Sequence, residues 1–357
     1  MKPSKPTASF ALAIPALLLL SPTGESPEFA PEEGTELTKV FEIRWDFELN
    51  DLSVVVNGQD FSGMTETFEV SVETEMKLRV SDTYDEVAGG RPHRLLRFFD
   101  ELHGSTSFRF GSDVASEDQE VCSSSELEGR TVLFEWDPDE EEYSLSYEDD
   151  GGDSDLLEGL REDMDLRIFL PGEAVSQGDS WEVDTHSFAS LMMPGGNVRL
   201  IPEDMGTDDQ DILEGVMDES FLEEFEDVYD GTCTCTFETV REEEAGPLAE
   251  IRVVIEISSS VDLSELLANV FESIGEEVGG DMPGITIDAA DLTLDYEGEG
   301  VLLWNLEANR LHSFELLGEA EMGIDLSLSA DVEGQSFTAE LSAEVSGSME
   351  QTVEAEE

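Results

Sequence analysis

The feature that most constrains the fold is a long alternation of apolar and polar residues with a period of two. From Phe314 to Ala330 the even positions are apolar apart from Gly318, and after a turn signal at 333–334 the odd positions 337, 339, 341, 343, 345, 349 and 353 continue the pattern. Successive side chains of a strand point to opposite faces, so these runs predict long strands with one apolar face. Alternation over residues 292–304 adds a third strand and predicts a C-terminal antiparallel meander.

The rest of the chain shows the same alternation of apolar and polar residues. Alternation over 41–49 and 68–80 predicts two strands, and a Gly89-Gly90 turn predicts a hairpin into 93–102. Further hairpins are predicted for 132–136 with 143–147 and for 233–240 with 251–257. Sheets of this size twist, and cannot stay flat. The predicted fold is therefore mainly β with a few helices (α+β): a large, strongly curved antiparallel sheet that forms a half-barrel or open barrel.

Three helices are predicted between the strand groups. Apolar residues recur at helical spacing over 263–278, after a capping signal at Asp262 and Glu265, and more weakly over 155–166 and 219–229. Because an apolar sheet face needs a cover, these helices are expected to lie on the sheet. The layout is similar to the half-barrels of periplasmic lipoprotein-carrier proteins, in which a curved sheet and lid helices enclose an apolar cavity. That resemblance is one of architecture, and no residue motif carries it.

The charge of the chain excludes several partners. It holds 17 Lys and Arg against 87 Asp and Glu, a formal net charge of −70. Neutralising phosphates requires clustered cationic side chains, so nucleic acid and anionic bilayers are excluded as partners. The excess of acid is typical of proteins adapted to saline surroundings, where dissolved ions screen self-repulsion, and also of simple solubility in a secreted protein.

The N-terminus predicts export. Lys2 and Lys5 precede an apolar run over 8–20 that is too short for a membrane-spanning helix, and this pattern is typical of a secretory signal peptide, assigned to residues 1–24. Residues 25–38 form an acidic, Pro- and Gly-containing linker in this interpretation. Residues 39–357 form one β-rich domain, whose two halves, 39–200 and 201–357, share a similar pattern. The mature chain is expected to be secreted or periplasmic, with no transmembrane segment.

Three cysteines leave at least one thiol unpaired within a monomer. Cys233 and Cys235 lie two residues apart in a predicted strand and therefore share a face. In an exported chain the favoured arrangement is a disulfide from Cys122 to one of them. Free buried thiols are the next alternative, and a metal site ranks last because no further Cys pair or nearby His accompanies them.

Motifs for catalysis are sparse. Gly178-Asp179-Ser180 resembles the nucleophile block of the Gly-Asp-Ser esterases, but the Asp-x-x-His element at 100–103 precedes it, whereas in that family it follows. The expected α/β pattern is missing too, so a turn leading into a strand is the preferred interpretation. The chain is predicted not to be an enzyme, and no catalytic residue or cofactor is assigned.

Charged clusters are interpreted as structural. The acidic loops at 149–155 and 208–211 lack the ligand spacing of known calcium loops, so no metal site is assigned. The basic group Arg91, His93, Arg94 and Arg97 is expected to pair with carboxylates inside the fold, with anion binding as the alternative.

Two main functional hypotheses remain. The first is a secreted or periplasmic binding protein that holds a lipid or other apolar ligand on the concave face of the sheet. The second is an envelope or extracellular structural protein with a self-packed core and diffuse divalent-cation binding. An unrecognised hydrolase is a distant third, and the sequence leaves the oligomeric state open. Residues on the apolar positions of their elements are the predicted ligand-lining set: Phe68, Val70, Phe271, Trp304, Phe314 and Leu316.

Overall fold

The computed structural model describes residues 26–65, 69–111, 116–149, 151–185, 187–203, 229–264, 266–268, 285–332 and 335–356. The strands of these ranges are β1 (Thr35–Val56), β2 (Gln59–Asp60), β3 (Glu69–Ala88), β4 (Arg91–Gly111), β5 (Ser116–Ser124), β6 (Thr131–Asp137), β7 (Glu142–Tyr147), β8 (Ser180–Val183), β9 (Ile201–Pro202), β10 (Asp230–Glu243), β11 (Gly246–Asp262), β12 (Ile285–Asn305), β13 (Arg310–Val332) and β14 (Gln335–Glu356). The predicted signal peptide lies outside the described residues.

All these strands belong to one antiparallel sheet. Its order is β7-β6-β4-β3-β1-β14-β13-β12-β11-β10-β8, with β2 beside β1 and with β5 between β4 and β9. The sheet does not close on itself, and the strongly curved half-barrel is not confirmed. Pairing of β1 with β14 places the first and last strands side by side at the centre of the strand order. No helix within the described ranges has the length and apolar character needed to cross a bilayer.

The predicted hairpins are confirmed. The meander of β12, β13 and β14 forms as expected, and so do the pairs β6–β7 and β10–β11. Gly89 and Gly90 connect β3 to β4 with φ angles of 62° and 80°, a backbone conformation that glycine adopts without steric strain. Alternating apolar residues and turn glycines therefore specified these local pairings correctly.

The predicted covering helices are largely absent from the described residues. These contain two short α-helices, α1 (Ser62–Thr65) and α2 (Ser187–Met192). The helix predicted for 155–166 is wrong: a 3-10 turn at Ser154–Leu157 is followed by irregular backbone, because Gly159 adopts a left-handed φ of 74° that interrupts a right-handed helix. Residues 264 and 266–268 of the predicted helix 263–278 are helical and Leu263 is not, while residues 265 and 269–278 lie outside the described residues. Of the predicted helix 219–229, Tyr229 is described and is not helical, and the rest lies outside the described residues.

The segment expected to be a linker packs against the sheet. β1 begins at Thr35, and Phe29 is buried against Tyr84, with ring centroids 5.6 Å apart. The Ala30 backbone N–H donates to the carbonyl of Asn309, and the Gly34 N–H to that of Tyr84. Acidic composition therefore concealed the apolar residues that fix residues 26–34 in place.

The three cysteines are free thiols, so the expected disulfide from Cys122 is not formed in this structure. Cys122 lies on β5 and the other two lie on β10, which is separated from β5 by most of the sheet. Cys233 and Cys235 do share a buried face. A hydrogen bond between their thiols lowers the pKa of Cys233 and raises that of Cys235.

The other face of the sheet is acidic. Glu256 on β11 lies directly opposite Glu297 on β12, which in turn lies opposite Glu319 on β13, and all three are exposed. Like charges placed directly opposite in neighbouring strands repel and destabilise a sheet. Part of the negative charge of the chain is therefore concentrated in rows of glutamates that lie opposite one another on neighbouring strands.

We expect salt to stabilise the protein through this face. Raising NaCl from about 0.01 to about 1 M shortens the screening length from roughly 30 to 3 Å, so Tm should rise. Glu297→Gln should raise Tm in low salt and have little effect in high salt. Glu340, which lies opposite Val55 and Ser327, offers a control, since Glu340→Gln removes a carboxylate with no acid opposite it. A Tm that stays flat or falls with salt would contradict the expectation.

Candidate ligand-binding face of the sheet

The apolar face of the sheet is covered over one part of its length, which we call the closed half. It comprises the residues around 35–43 of β1, 76–84 of β3, 95–102 of β4, 248–257 of β11, 296–304 of β12, 311–320 of β13 and 349–353 of β14. Most apolar side chains on this face are fully or almost fully buried: Phe41, Leu78, Leu95, Phe99, Ile251, Leu302, Trp304, Phe314, Leu316 and Val353. The cover consists of residues 26–34 and parts of 151–203, which contribute their own buried side chains to the same core.

Aromatic contacts hold this cover to the sheet. Phe169 stacks on Phe314, with ring centroids 5.7 Å apart. The indole N–H of Trp304 donates to the carbonyl of Glu28 at 3.0 Å, and Phe29 lies against the Trp304 ring at 6.4 Å. The closed half is therefore filled by the protein itself.

A buried charge network joins the cover to three strands. Lys39 on β1 contacts Asp82 on β3 at 2.6 Å and Asp165 of the cover at 2.9 Å. The Tyr84 hydroxyl donates to Asp165 at 2.6 Å, and the guanidinium of Arg97 on β4 donates two hydrogen bonds of 2.8 Å to Asp82. All five side chains are completely buried. Two cations thus balance two carboxylates in a site without solvent, as buried charges require.

The same network extends into the backbone of the cover. Arg97 donates to the carbonyls of Arg161 and Glu162 at 2.9 and 2.8 Å. Arg167 pairs with the carboxylates of Glu162 and Asp163, and its guanidinium lies over the Phe29 ring at 4.9 Å. A segment with almost no regular secondary structure is therefore fixed by charge-assisted hydrogen bonds.

The pKa values of two carboxyls in this region move in opposite directions. Burial by itself would raise the pKa of Asp82, but the charges of Arg97 and Lys39 outweigh it and hold that pKa below its ordinary value. Burial raises the pKa of Glu162 to about 7, and Arg167 opposes this effect only in part. One oxygen of Glu162 is buried without a hydrogen-bond partner among the described residues, which agrees with a carboxyl that gains a proton easily.

Beyond the closed half, the same face becomes exposed; we call this part the open half. Pairing registers place the following apolar residues on it: Phe47, Leu49, Leu52, Val54 and Val56 of β1; Val70 and Val72 of β3; Phe108 and Phe110 of β4; Ile285, Ile287, Leu292 and Leu294 of β12; Met322, Ile324, Leu326 and Leu328 of β13; and Phe337, Leu341 and Val345 of β14.

Every one of these side chains is half-buried or exposed. Phe110 is 50% exposed, Phe337 41% and Ile324 40%. Other positions of this face carry Ala, Gly or Thr, as at Thr74 and Thr106, whose hydroxyls hydrogen-bond each other. Contiguous apolar surfaces of this kind are rare on soluble monomers, which makes the open half a candidate site of interaction.

A cavity of about 310 Å³ lies where the two halves meet. Met76 of β3 forms its floor, and residues 193–202 of the cover form its walls, among them Met193, Val198 and Leu200. Met76 is paired with Gly104 on β4, and the Leu200 side chain packs near this glycine, 3.5 Å from the position that a Cβ atom would take. The size and apolar lining are typical of a small-molecule pocket.

The predicted ligand-lining residues divide between the two halves. Trp304, Phe314 and Leu316 belong to the closed half and are buried by the cover, so they do not line a free surface. Val70 lies on the open half, opposite Phe110. Phe68 and Phe271 lie outside the described residues. Alternation identified the apolar face of the sheet, but it carried no information on which part of that face the irregular cover occupies.

Other motifs occupy structural positions. Ser180 begins β8, and its hydroxyl hydrogen-bonds Thr236, whereas His103 lies on β4 near the opposite end of the strand order. Asp153 caps the 3-10 turn that follows it, and the described ranges contain no group of three His, Cys, Asp or Glu placed to hold a metal ion. Asp150, His186 and residues 208–211 lie outside the described residues.

Two members of the basic group on β4, Arg94 and Arg97, pair with carboxylates inside the fold, as predicted. Arg94 contacts Asp85 and Glu135, and Arg97 contacts Asp82. Arg91 places its guanidinium over the Trp136 ring at 4.2 Å. These cations are engaged by groups of the chain itself.

Comparisons with known proteins leave the family of the chain unassigned. No protein-family model matches it, and no curated protein matches it significantly. Among solved structures it is similar to an outer membrane channel from Pseudomonas putida F1, over 92% of this chain and 98% of the channel. The identity is 9% and the TM-score is 0.21, which is too low to assign a fold family.

We expect Asp165→Asn to destabilise the protein strongly. The substitution leaves the buried network with an uncompensated positive charge, and removing one partner from a buried ion pair typically costs about 3–5 kcal/mol in the free energy of unfolding. Asp46→Asn is the matched control, because Asp46 pairs with Arg44 and both are about half exposed. Chemical denaturation should show a large loss for the first variant and little change for the second; equal effects would contradict a structural role for the network.

A second prediction concerns pH. Since the pKa of Glu162 is about 7 in the folded protein, the stability linked to its protonation is fully present below its ordinary pKa and is lost as pH rises through 7. Glu162→Gln cannot ionise, so it should gain about 2–3 kcal/mol over the wild type between pH 5 and pH 8. Denaturation at both pH values measures this difference, and Glu158→Gln, at an exposed position of the same segment, should show none.

Proposed function

We propose that this chain is an exported, non-enzymatic binding protein that holds an apolar ligand on the open half of the sheet. The observation that carries the proposal is the contiguous set of half-exposed apolar side chains on six adjacent strands, next to an apolar cavity. Such a surface requires an occupant to remove it from water. The location outside the cytoplasm rests on the signal-peptide pattern of residues 1–24.

The charge of the protein favours a small apolar ligand over a second copy of the chain. Two copies would each bring a net charge of −70, and their mutual repulsion opposes face-to-face packing of two sheets at low ionic strength. A ligand built mainly of hydrocarbon, such as a lipid acyl chain, covers the apolar face without adding charge. The strands of the open half are long, so extended chains find a continuous surface along β13 and β14.

β13 offers a matched pair of variants to test this function. Ile324 lies on the open half and is 40% exposed, whereas Leu317 lies on the acidic face of the same strand and is 63% exposed. Ile324→Asp should lower the affinity for an uncharged, environment-sensitive acyl probe about tenfold or more, because a carboxylate would be desolvated beneath the ligand. Leu317→Asp adds the same charge in water and should leave the affinity within about twofold, since exposed substitutions have small effects.

Fluorescence titration of the full chain gives these affinities, with circular dichroism as the control for folding. Phe314→Asp is unsuitable, because Phe314 is buried under Phe169 and the charge would disrupt the core. The proposal fails if the wild type shows no saturable binding or if both variants bind alike. A structural protein with a self-packed core would then be the function that the closed half supports.

A further inference from the structure

Gln351 is a polar residue in an apolar environment. It lies on β14 between Ile43 of β1 and Leu316 of β13, and its side chain is completely buried. Neither its amide nitrogen nor its amide oxygen has a hydrogen-bond partner among the described residues. A buried amide without partners is unfavourable, since it has given up its bonds to water. Such a group in a folded protein calls for an explanation.

Two further buried groups that have no hydrogen-bond partner in the described part of the chain lie on the same face close to Gln351. The indole N–H of Trp45 is one, and Trp45 is paired with Met349, two residues along β14. The Tyr296 hydroxyl is the other, and it lies against Gly298 and Gly318, where any side chain would collide with it. Gly318 is itself paired with Met349. The register therefore places all three polar groups around one residue of the apolar face.

This group lies at the boundary between the two halves. Gln351 and Met349 are buried, and farther along β14 the face positions become half-buried at Val345 and exposed at Phe337. The three side chains together offer hydrogen-bond donors on the amide, the indole and the hydroxyl, and acceptors on the amide and hydroxyl oxygens. None of them carries a charge.

We propose that Gln351, Tyr296 and Trp45 bind the uncharged polar group of an amphiphile, such as a hydroxyl or an ester carbonyl, while its apolar chain lies along the open half. This inference rests on the proposed function and names the class of ligand. The three groups supply both donors and acceptors, which a hydroxyl or a carbonyl can use. The net charge of −70 disfavours an anionic head group.

Three probes with the same acyl chain test the inference on the full-length protein: a glycerol monoester, the free carboxylate and the plain hydrocarbon. The ester should bind the wild type about tenfold or more tightly than the hydrocarbon, because it forms two or more hydrogen bonds that the hydrocarbon lacks. The carboxylate should bind more weakly than the ester. Raising NaCl should reduce the difference in affinity between the carboxylate and the ester, since salt screens the repulsion between the carboxylate and the acidic protein.

Gln351→Met replaces the amide with an apolar side chain of similar length. The variant separates the effect of the amide on ligand binding from its effect on stability. The variant should bind the ester about tenfold more weakly, bind the hydrocarbon as the wild type does, and have a higher Tm without ligand, because an unpaired buried amide has been removed. A higher Tm with unchanged ester affinity would show that the amide bonds only water, and would overturn the inference.

The two proposals fail in different ways. If none of the three probes binds, the proposed function itself is wrong. If the hydrocarbon and the ester bind equally well, and Gln351→Met changes neither affinity, the apolar face binds ligands but the assignment of a polar-group site at Gln351 is wrong. Tyr296→Phe provides an independent check, since it removes only the hydroxyl and should weaken ester binding without affecting the hydrocarbon.

Discussion

The fold depends on a buried electrostatic contact between two parts of the chain that are distant in sequence. Lys39, Asp82 and Arg97 come from three adjacent strands, and Asp165 comes from the irregular segment that covers them. Opposite charges at these distances in a dry interior attract strongly, and the desolvation of each is tolerable only while its partners are present. The network thereby fixes where the cover lies, and that position determines which part of the apolar face remains open.

The apolar face is divided into two halves because the covering segments extend over only part of the length of the strands. Residues 26–34 and parts of 151–203 bury one half of the strands, with Phe169 and Phe29 as the principal aromatic contacts. Strands of more than 20 residues extend well beyond this cover among the described residues. The consequence is one sheet with two environments on the same face, a packed core and an apolar surface, backed by an acidic face.

Polar atoms at one end of the apolar surface make its two ends chemically different. Tyr296 and Gln351 lie where the packed core ends, and glycines at 298 and 318 let the Tyr296 ring lie close to the backbone. Aromatic rings over sheet glycines replace the side-chain packing that glycine lacks. A ligand with an uncharged head and an apolar tail matches this arrangement of hydrogen-bonding groups at one end and hydrocarbon along the rest.

The sequence by itself determined the strands, their apolar face and most local hairpins, because period-two alternation and turn glycines such as Gly89 and Gly90 act over a few residues. It also contained a signal for Gln351, the polar residue that interrupts the apolar positions of β14. Only the tertiary structure decided the pairing of β1 with β14, the burial of Phe29 and Phe314, and the extent of the cover. The weak helical spacing at 155–166 did not predict the structure of residues 151–203, since their positions are set by contacts such as Lys39 with Asp165, which join residues 126 apart in the chain.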